Sequence, residues 1–118
     1  MKFTTTLKQN YEFRRLYARG KNAAASCLVL YYRKNRANRS RLGFTVSKKV
    51  GCAVVRNRVR RRLREIYRFH EAELYPGYDL VVVARVKAAF SSYHELEKEF
   101  LYLAARLGLL KKEEEKGP

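Results

Sequence analysis

The sequence predicts an α+β fold, a sandwich in which the elements follow the order αββαβα around a small central sheet. Helical periodicity of apolar residues marks three segments, and short β-branched or aromatic runs lie between them. The length of 118 residues suits one domain with one core. We therefore expect a single domain over residues 1–110 and a disordered, mixed-charge tail over residues 111–118.

The first half of the chain predicts one helix and two strands. Asn10 is a candidate N-cap, and Gly20 suits a left-handed residue that ends the helix. Residues 26–34 read SCLVLYYRK and residues 41–47 read RLGFTVS, both typical of strands. Because only the polar turn NRANRS separates them, we expect these two strands to pair as a hairpin.

The second half predicts a helix, a strand and a helix. Residues 79–86, DLVVVARV, form a continuous β-branched run, as in strands covered on both faces. Ser92 and Glu95 have capping-box spacing at the start of the last helix, which is expected to end near Gly108.

The middle helix is the most unusual segment. Residues 54–70, VVRNRVRRRLREIYRFH, contain seven arginines and one acid. At 100° per residue one apolar stripe forms, which we expect to pack on the sheet: Val55, Val59, Leu63, Ile66, Tyr67 and His70. Each neighbouring pair of arginines costs a few tenths of a kcal/mol, roughly, in repulsion, and a merely solvated surface does not require that cost.

The charge is distributed unevenly. Residues 1–70 hold 20 Lys/Arg and two acids (+18), whereas residues 71–118 hold 7 Lys/Arg and 9 acids (−2), which gives +16 in total. Like charge at this density favours a polyanionic partner, with nucleic acid ahead of an anionic membrane surface. No apolar run approaches the roughly 20 residues that span a bilayer, so we expect a cytoplasmic protein.

The sequence does not predict a catalytic or metal site on the protein. Glu12 and Glu65 are the only acids in the first 70 residues, and each is expected to be a counter-charge on a helix surface. The spacing of the two cysteines and two histidines fits no zinc motif. If the protein takes part in a reaction, its partner is expected to supply the chemistry.

The role of three aromatic residues can be interpreted in two ways. Phe13 and Tyr17 share one face of the first helix, and Tyr31 lies in the first predicted strand. An exposed cluster could stack the bases of single-stranded RNA. Alternatively, Phe13 and Tyr17 anchor the helix to the sheet, which periodicity alone favours.

The order of motifs closely resembles the bacterial protein subunit of ribonuclease P. The residues that carry the resemblance are N-x-x-F-x-x-x-Y-x-x-G from Asn10 to Gly20, the strand LVLYY, and RLGFTVSKKVGCAVVRNRVRRRLRE. It implies a fold like the second domain of ribosomal protein S5, with a left-handed βαβ crossover through the arginine-rich helix. It also implies removal of the 5′ leader of precursor tRNA by a holoenzyme whose RNA subunit performs Mg²⁺-dependent hydrolysis.

The resemblance implies roles for particular residues and partners. The partners are ribonuclease P RNA and precursor tRNA, with no membrane, organic cofactor or obligate protein partner. The leader would lie in a cleft lined by Phe13, Tyr17 and Tyr31, and Lys48 and Lys49 would add phosphate contacts. The contacts to the RNA subunit would come from the RNR helix: Arg56, Asn57, Arg58, Arg60, Arg61, Arg64 and Arg68.

Two other functions fit the charge. A structural RNA-binding protein, such as a small ribosomal protein, would share the basic surface without affecting a reaction. A DNA-binding protein would place the arginine-rich helix in a groove, but the apolar stripe predicts that this helix is docked on its own sheet.

Overall fold

The structure is a computed structural model that describes residues 4–111. It confirms the α+β fold, with five strands in one sheet and three α-helices. The strands are β1 (Thr4–Thr6), β2 (Lys21–Ala24), β3 (Leu28–Lys34), β4 (Ser40–Thr45) and β5 (Tyr78–Ala84), and the helices are α1 (Asn10–Arg19), α2 (Ala53–His70) and α3 (Tyr93–Arg106). All but the first residue of the predicted tail lies outside the described residues.

The sheet order is β1-β4-β5-β3-β2, so the predicted hairpin between residues 26–34 and 41–47 is wrong. The last strand, β5, inserts between the two, antiparallel to β3 and parallel to β4. Burial explains the arrangement, since the apolar run Leu80–Val81–Val82 is fully covered only at the centre of the sheet. β4 and β5 are parallel neighbours joined through α2, so the crossover does pass through the arginine-rich helix.

Two edge strands were not predicted. β1 pairs with β4 in parallel, and β2 pairs with β3 in antiparallel register. Their sequences, TTT and KNAA, are short and lack the alternating apolar residues that identify a half-buried strand. Each gains its extended form by completing the hydrogen bonding of a longer neighbour.

The sheet separates two hydrophobic clusters, and successive residues of β5 belong to different ones. Leu80 and Val82 pack in the main core beneath α2 and α3, whereas Val81 packs in a smaller cluster beneath α1, with Leu7 and Leu16. This alternation is expected for a strand covered on both faces. The result is a three-layer sandwich with α1 alone on one face of the sheet.

The ends of α1 differ from the prediction. The N-cap is Gln9, and the carboxylate of Glu12 accepts a hydrogen bond from the Gln9 amide (3.1 Å). Gly20 has φ −75° and is not left-handed. Glycine is required there by space, because a Cβ atom would lie 2.6 Å from the Leu16 carbonyl oxygen and 2.9 Å from that of Tyr32.

The N-terminal cap of α3 and the buried side of α2 agree with the sequence. The Ser92 hydroxyl accepts from the Glu95 amide (3.1 Å), and the Glu95 carboxylate accepts from the Ser92 amide (3.0 Å), so the predicted capping box starts α3. The stripe on α2 is confirmed as its buried side, with Val55 partly buried at one end.

Among residues 4–111, no helix has the length and apolarity to cross a membrane.

The C-terminal end of α2 is tied to α3 by His70. Its Nε2 atom lies 2.8 Å from the Glu97 carboxylate, and its Nδ1 atom contacts the Glu73 carboxylate. Burial acts to lower the pKa of His70, but the hydrogen bonds to Glu97 and Glu73 outweigh it and raise the pKa above its usual value of 6.5. The protonated ring therefore stabilises the folded state.

We predict that His70→Gln destabilises the fold more in acid than in base. A raised folded-state pKa gives stabilisation that is complete below the unfolded value and is lost as pH rises through the folded value. Urea unfolding of the variant and the parent should therefore differ more at about pH 5.5 than at about pH 8.5. His94→Gln is the control, since the His94 side chain is 85% exposed. An equal difference at both pH values would contradict the ion-paired state of His70.

Candidate nucleic-acid interface

The exposed side of α2 displays four arginines and one asparagine, here called the arginine ridge: Asn57, Arg60, Arg61, Arg64 and Arg68. At 100° per residue these positions fall within an arc of about 100°. Asn57, Arg61, Arg64 and Arg68 are exposed and Arg60 is half-buried. Because Val59, Leu63 and Ile66 are fixed in the core, the backbone positions of these residues are held on one side of the helix.

The opposite flank of α2 uses its arginines differently. Arg58 donates from Nη2 to the carbonyl oxygen of Ala89 (3.1 Å), and Arg62 donates from Nη1 to that of Ser91 (3.1 Å). Both are half-buried, and the Nε atom of Arg58 is enclosed. The structure thus gives Arg58 a role in holding the segment between β5 and α3, and its contact with RNA stays a prediction.

Local contacts orient several other side chains of the RNR helix. Arg56 donates from Nε to the Gly51 carbonyl (3.2 Å), which ties it to the preceding turn. The Asn57 side-chain oxygen accepts from Arg60 (3.2 Å). Both residues of this second pair lie at the surface, where an extended chain of phosphates could reach them.

The acids among the first 70 residues are both ion-paired. Glu65 pairs with Arg68 (2.8 Å) on the helix surface, as predicted. Glu12 is only 9% exposed, so its predicted surface position is wrong; it pairs with Arg41, which also binds Asp79 through two hydrogen bonds of 2.9 and 2.7 Å. Burial acts to raise the pKa of Asp79, but Arg41 and Asn35 outweigh it and lower that pKa. Glu12 and Asp79 are therefore neutralised by Arg41, and of the ridge cations only Arg68 has a carboxylate partner among the described residues.

The predicted aromatic residues come together beside α1, and we call Phe13, Tyr17 and Tyr31 the aromatic surface. The rings of Tyr17 and Tyr31 are 5.0 Å apart in an edge-to-face arrangement, and the Tyr17 hydroxyl lies 2.6 Å from that of Thr45. Tyr17 is 40% exposed, whereas Phe13 and Tyr31 are half-buried against the small core cluster. Phe13 therefore anchors the helix, as periodicity favoured, whereas Tyr17 presents an accessible ring, and base stacking stays a prediction.

Gly43 allows α1 to approach the sheet. A Cβ atom at this position would lie 2.6 Å from the ring of Phe13 and 3.4 Å from Leu7. The ring therefore occupies space that any other residue in β4 would fill. This contact explains why the GFTVS motif and the phenylalanine of the first helix belong to one surface.

A cleft joins the aromatic surface to the arginine ridge. Its volume is about 160 Å³, and both Phe13 and Gly43 line it, together with Arg60 and Arg64 from α2. A second, shallower depression beside it lies between Arg14, Tyr17 and Thr45. Sequence periodicity did not identify Thr45 or Arg14, because neither belongs to an apolar stripe or to the arginine run.

Lys48 and Lys49 also face solvent. They form one 3₁₀ turn, Lys48–Val50, directly before α2, and only Val50 of the three is buried. Both lysine side chains are accessible to a phosphate group, and the predicted contacts stay a prediction. Of the predicted site residues, the structure brings Phe13 together with Arg60 and Arg64, and Tyr17 together with Tyr31.

Comparison with known proteins identifies the family of this chain. A family model described as Ribonuclease P matches residues 1–108. The ribonuclease P protein component of Natranaerobius thermophilus is 45% identical over 107 residues, covering 91% of this chain and 93% of the relative. That of Clostridium novyi is 47% identical over 111 residues, covering 92% and 98%. The chain belongs to the ribonuclease P protein family.

Solved structures agree with this membership. The ribonuclease P protein of Staphylococcus aureus superposes with a TM-score of 0.83 at 29% identity, covering 90% of this chain and 97% of that one. The protein of Thermotoga maritima superposes with a TM-score of 0.76 at 30% identity, covering 82% and 92%. The chain is thus a protein subunit of the ribonuclease P holoenzyme, and its partner there is RNA.

Within residues 4–111 the acidic side chains do not gather as a set of converging metal ligands. Hard cations prefer several converging oxygen ligands. Within residues 4–111 no three His, Cys, Asp or Glu side chains converge in that way, and the buried pair Glu12 and Asp79 is bound by Arg41.

We predict that two arginines of α2 differ in their effect on stability. Arg58→Gln should lower the free energy of unfolding by about 1 kcal/mol, because it removes the hydrogen bond to Ala89. Arg61→Gln, at an exposed position with the same chemistry, should change it by less than about 0.5 kcal/mol. Urea denaturation of both variants measures the difference. Equal losses would contradict the division of α2 into a structural flank and a ridge.

Proposed function

We propose that the arginine ridge binds the RNA subunit of ribonuclease P, and that the aromatic surface binds the single-stranded 5′ leader of precursor tRNA. The observation that carries the proposal is the cleft lined by Arg60, Arg64 and Phe13. In this cleft, side chains that can bind phosphate lie beside an aromatic ring of the surface proposed for the leader. Guanidinium forks bind phosphate oxygens in pairs, and exposed rings stack on unpaired bases.

The physical task of the protein is to reduce repulsion between two RNAs. The RNA subunit and the precursor are both polyanions, and a chain of net charge +16 placed between them lowers the cost of their approach. Each phosphate contact also releases condensed counterions, which favours association at low salt. The ridge is suited to this because a docked helix carries its arginines on one side of the protein before the RNA binds.

In this proposal the RNA subunit carries the hydrolysis and holds the Mg²⁺ ions, and the protein positions the substrate. The protein's own residues bind, orient and neutralise. The reaction is the endonucleolytic removal of the leader, which generates the mature 5′ end of tRNA. A bacterial protein that acts on newly made tRNA precursors would work in the cytoplasm.

Tyr17 offers the sharpest test of leader binding, because it is the most exposed of the three aromatic residues. Phe13 supports the small core, so its replacement would confuse folding with binding. Tyr17→Ala in the reconstituted holoenzyme should weaken precursor tRNA binding about tenfold, since base stacking contributes about 1–3 kcal/mol. Binding of mature tRNA, which lacks the leader, should not change.

Two control variants define the interpretation. Tyr17→Phe keeps the ring and loses only the contact with Thr45, so it should retain most of the affinity. Tyr102→Ala removes a tyrosine that is 56% exposed on α3, across the sheet from α1, and should have no effect. Equal losses for precursor and mature tRNA would refute leader binding at this surface.

A further inference from the structure

The connection between β3 and β4 forms a second cationic surface, which the function above does not use. Four exposed side chains lie within seven residues at this end of the sheet: Arg33, Lys34, Arg36 and Arg39. None of them pairs with a carboxylate within residues 4–111. We call these four residues the basic loop.

The backbone of the basic loop is fixed from inside by Asn35. Its amide N–H donates to the Gly77 carbonyl (2.9 Å), and its side-chain amide donates to the Arg39 carbonyl (3.1 Å) and to Asp79 (2.9 Å). The loop is therefore held to the turn before β5. Cations displayed from an ordered backbone lose less entropy on binding than cations on a flexible chain.

The nearest acid is already engaged elsewhere. Asp79 lies opposite Arg33 in the register of β3 and β5, yet both of its oxygens accept hydrogen bonds from Arg41. Arg33 therefore keeps its charge available to an outside anion. The same holds for the loop as a whole, whose positive charge is available to an external partner.

The basic loop continues directly from the aromatic surface. Tyr31 and Arg33 lie on the same face of β3, about 6.6 Å apart along the strand. The loop and the Lys48–Val50 turn flank the two ends of β4, which at six residues is about 20 Å long. A single strand stacked on Tyr17 would thus have cations at both ends of its path.

We infer that the basic loop binds phosphates of the precursor leader beyond the nucleotides stacked on Tyr17 and Tyr31. This inference rests on the proposed leader site. It identifies the occupant as the leader rather than the RNA subunit, because the loop adjoins the aromatic surface along one face of β3. The leader site then favours long leaders over short ones, with phosphates as the recognised groups.

The test compares two precursors in the reconstituted holoenzyme, with leaders of about four and about ten nucleotides. The unmodified protein should bind the long-leader precursor more tightly. The double variant Arg36→Gln/Arg39→Gln should lose most of that preference. The log–log salt slope for the long leader should also become shallower by about 1.4, which is two contacts at about 0.7 each.

The matched control is Lys98→Gln/Arg106→Gln, which removes the same charge from exposed positions on α3. It should leave the preference for long leaders intact. A similar loss in this control, weaker binding of the RNA subunit by the loop variant, or an unchanged preference would each overturn the inference. If the unmodified protein binds precursor and mature tRNA equally well, the proposal of leader binding itself is wrong. If the unmodified protein prefers precursor tRNA and the loop variant still prefers the long leader, only the inference about the basic loop is wrong.

Discussion

The packing of the α2 stripe on the sheet determines the arrangement of the functional surface. Burying Val59, Leu63 and Ile66 contributes about 1.5–3 kcal/mol each relative to leaving them exposed. Repulsion between neighbouring arginines costs only a few tenths of a kcal/mol, roughly, per pair. Burial therefore wins, and the helix holds charges together that would otherwise separate. The repulsion that remains between these arginines can be relieved by the phosphates of an RNA backbone.

The same docking gives the arginines on the two flanks of α2 different contacts. Those on one flank, Arg58 and Arg62, donate to backbone carbonyls and hold the segment before α3. Arg60 and Arg64, on the other flank, meet the aromatic surface of α1. A solvated helix would not make this distinction. One rigid element thus links the core, the ridge and the aromatic surface, and the family membership identifies the partner as RNA.

Sequence reasoning predicted the elements that carry strong local signals. The capping box of α3 and the apolar period of α2 depend on neighbours within four residues, so they survive in the fold. Pairing of β3 with β5 depends on residues fifty positions apart, roughly, which no local pattern records, and the hairpin error follows from that. Periodicity grouped Phe13 with Tyr17 but could not tell which ring stays exposed, because that depends on Gly43 in a distant strand.

The most direct test of the central claim is the salt dependence of binding to ribonuclease P RNA. The comparison is between the unmodified chain and the double variant Arg60→Gln/Arg61→Gln, with Lys98→Gln/Arg106→Gln as the charge-matched control. Loss of two phosphate contacts should make the log–log slope shallower by about 1.4–1.8, while the control keeps the parent slope. An unchanged slope in the ridge variant would contradict direct phosphate contact, and an equal change in the control would show that net charge alone matters.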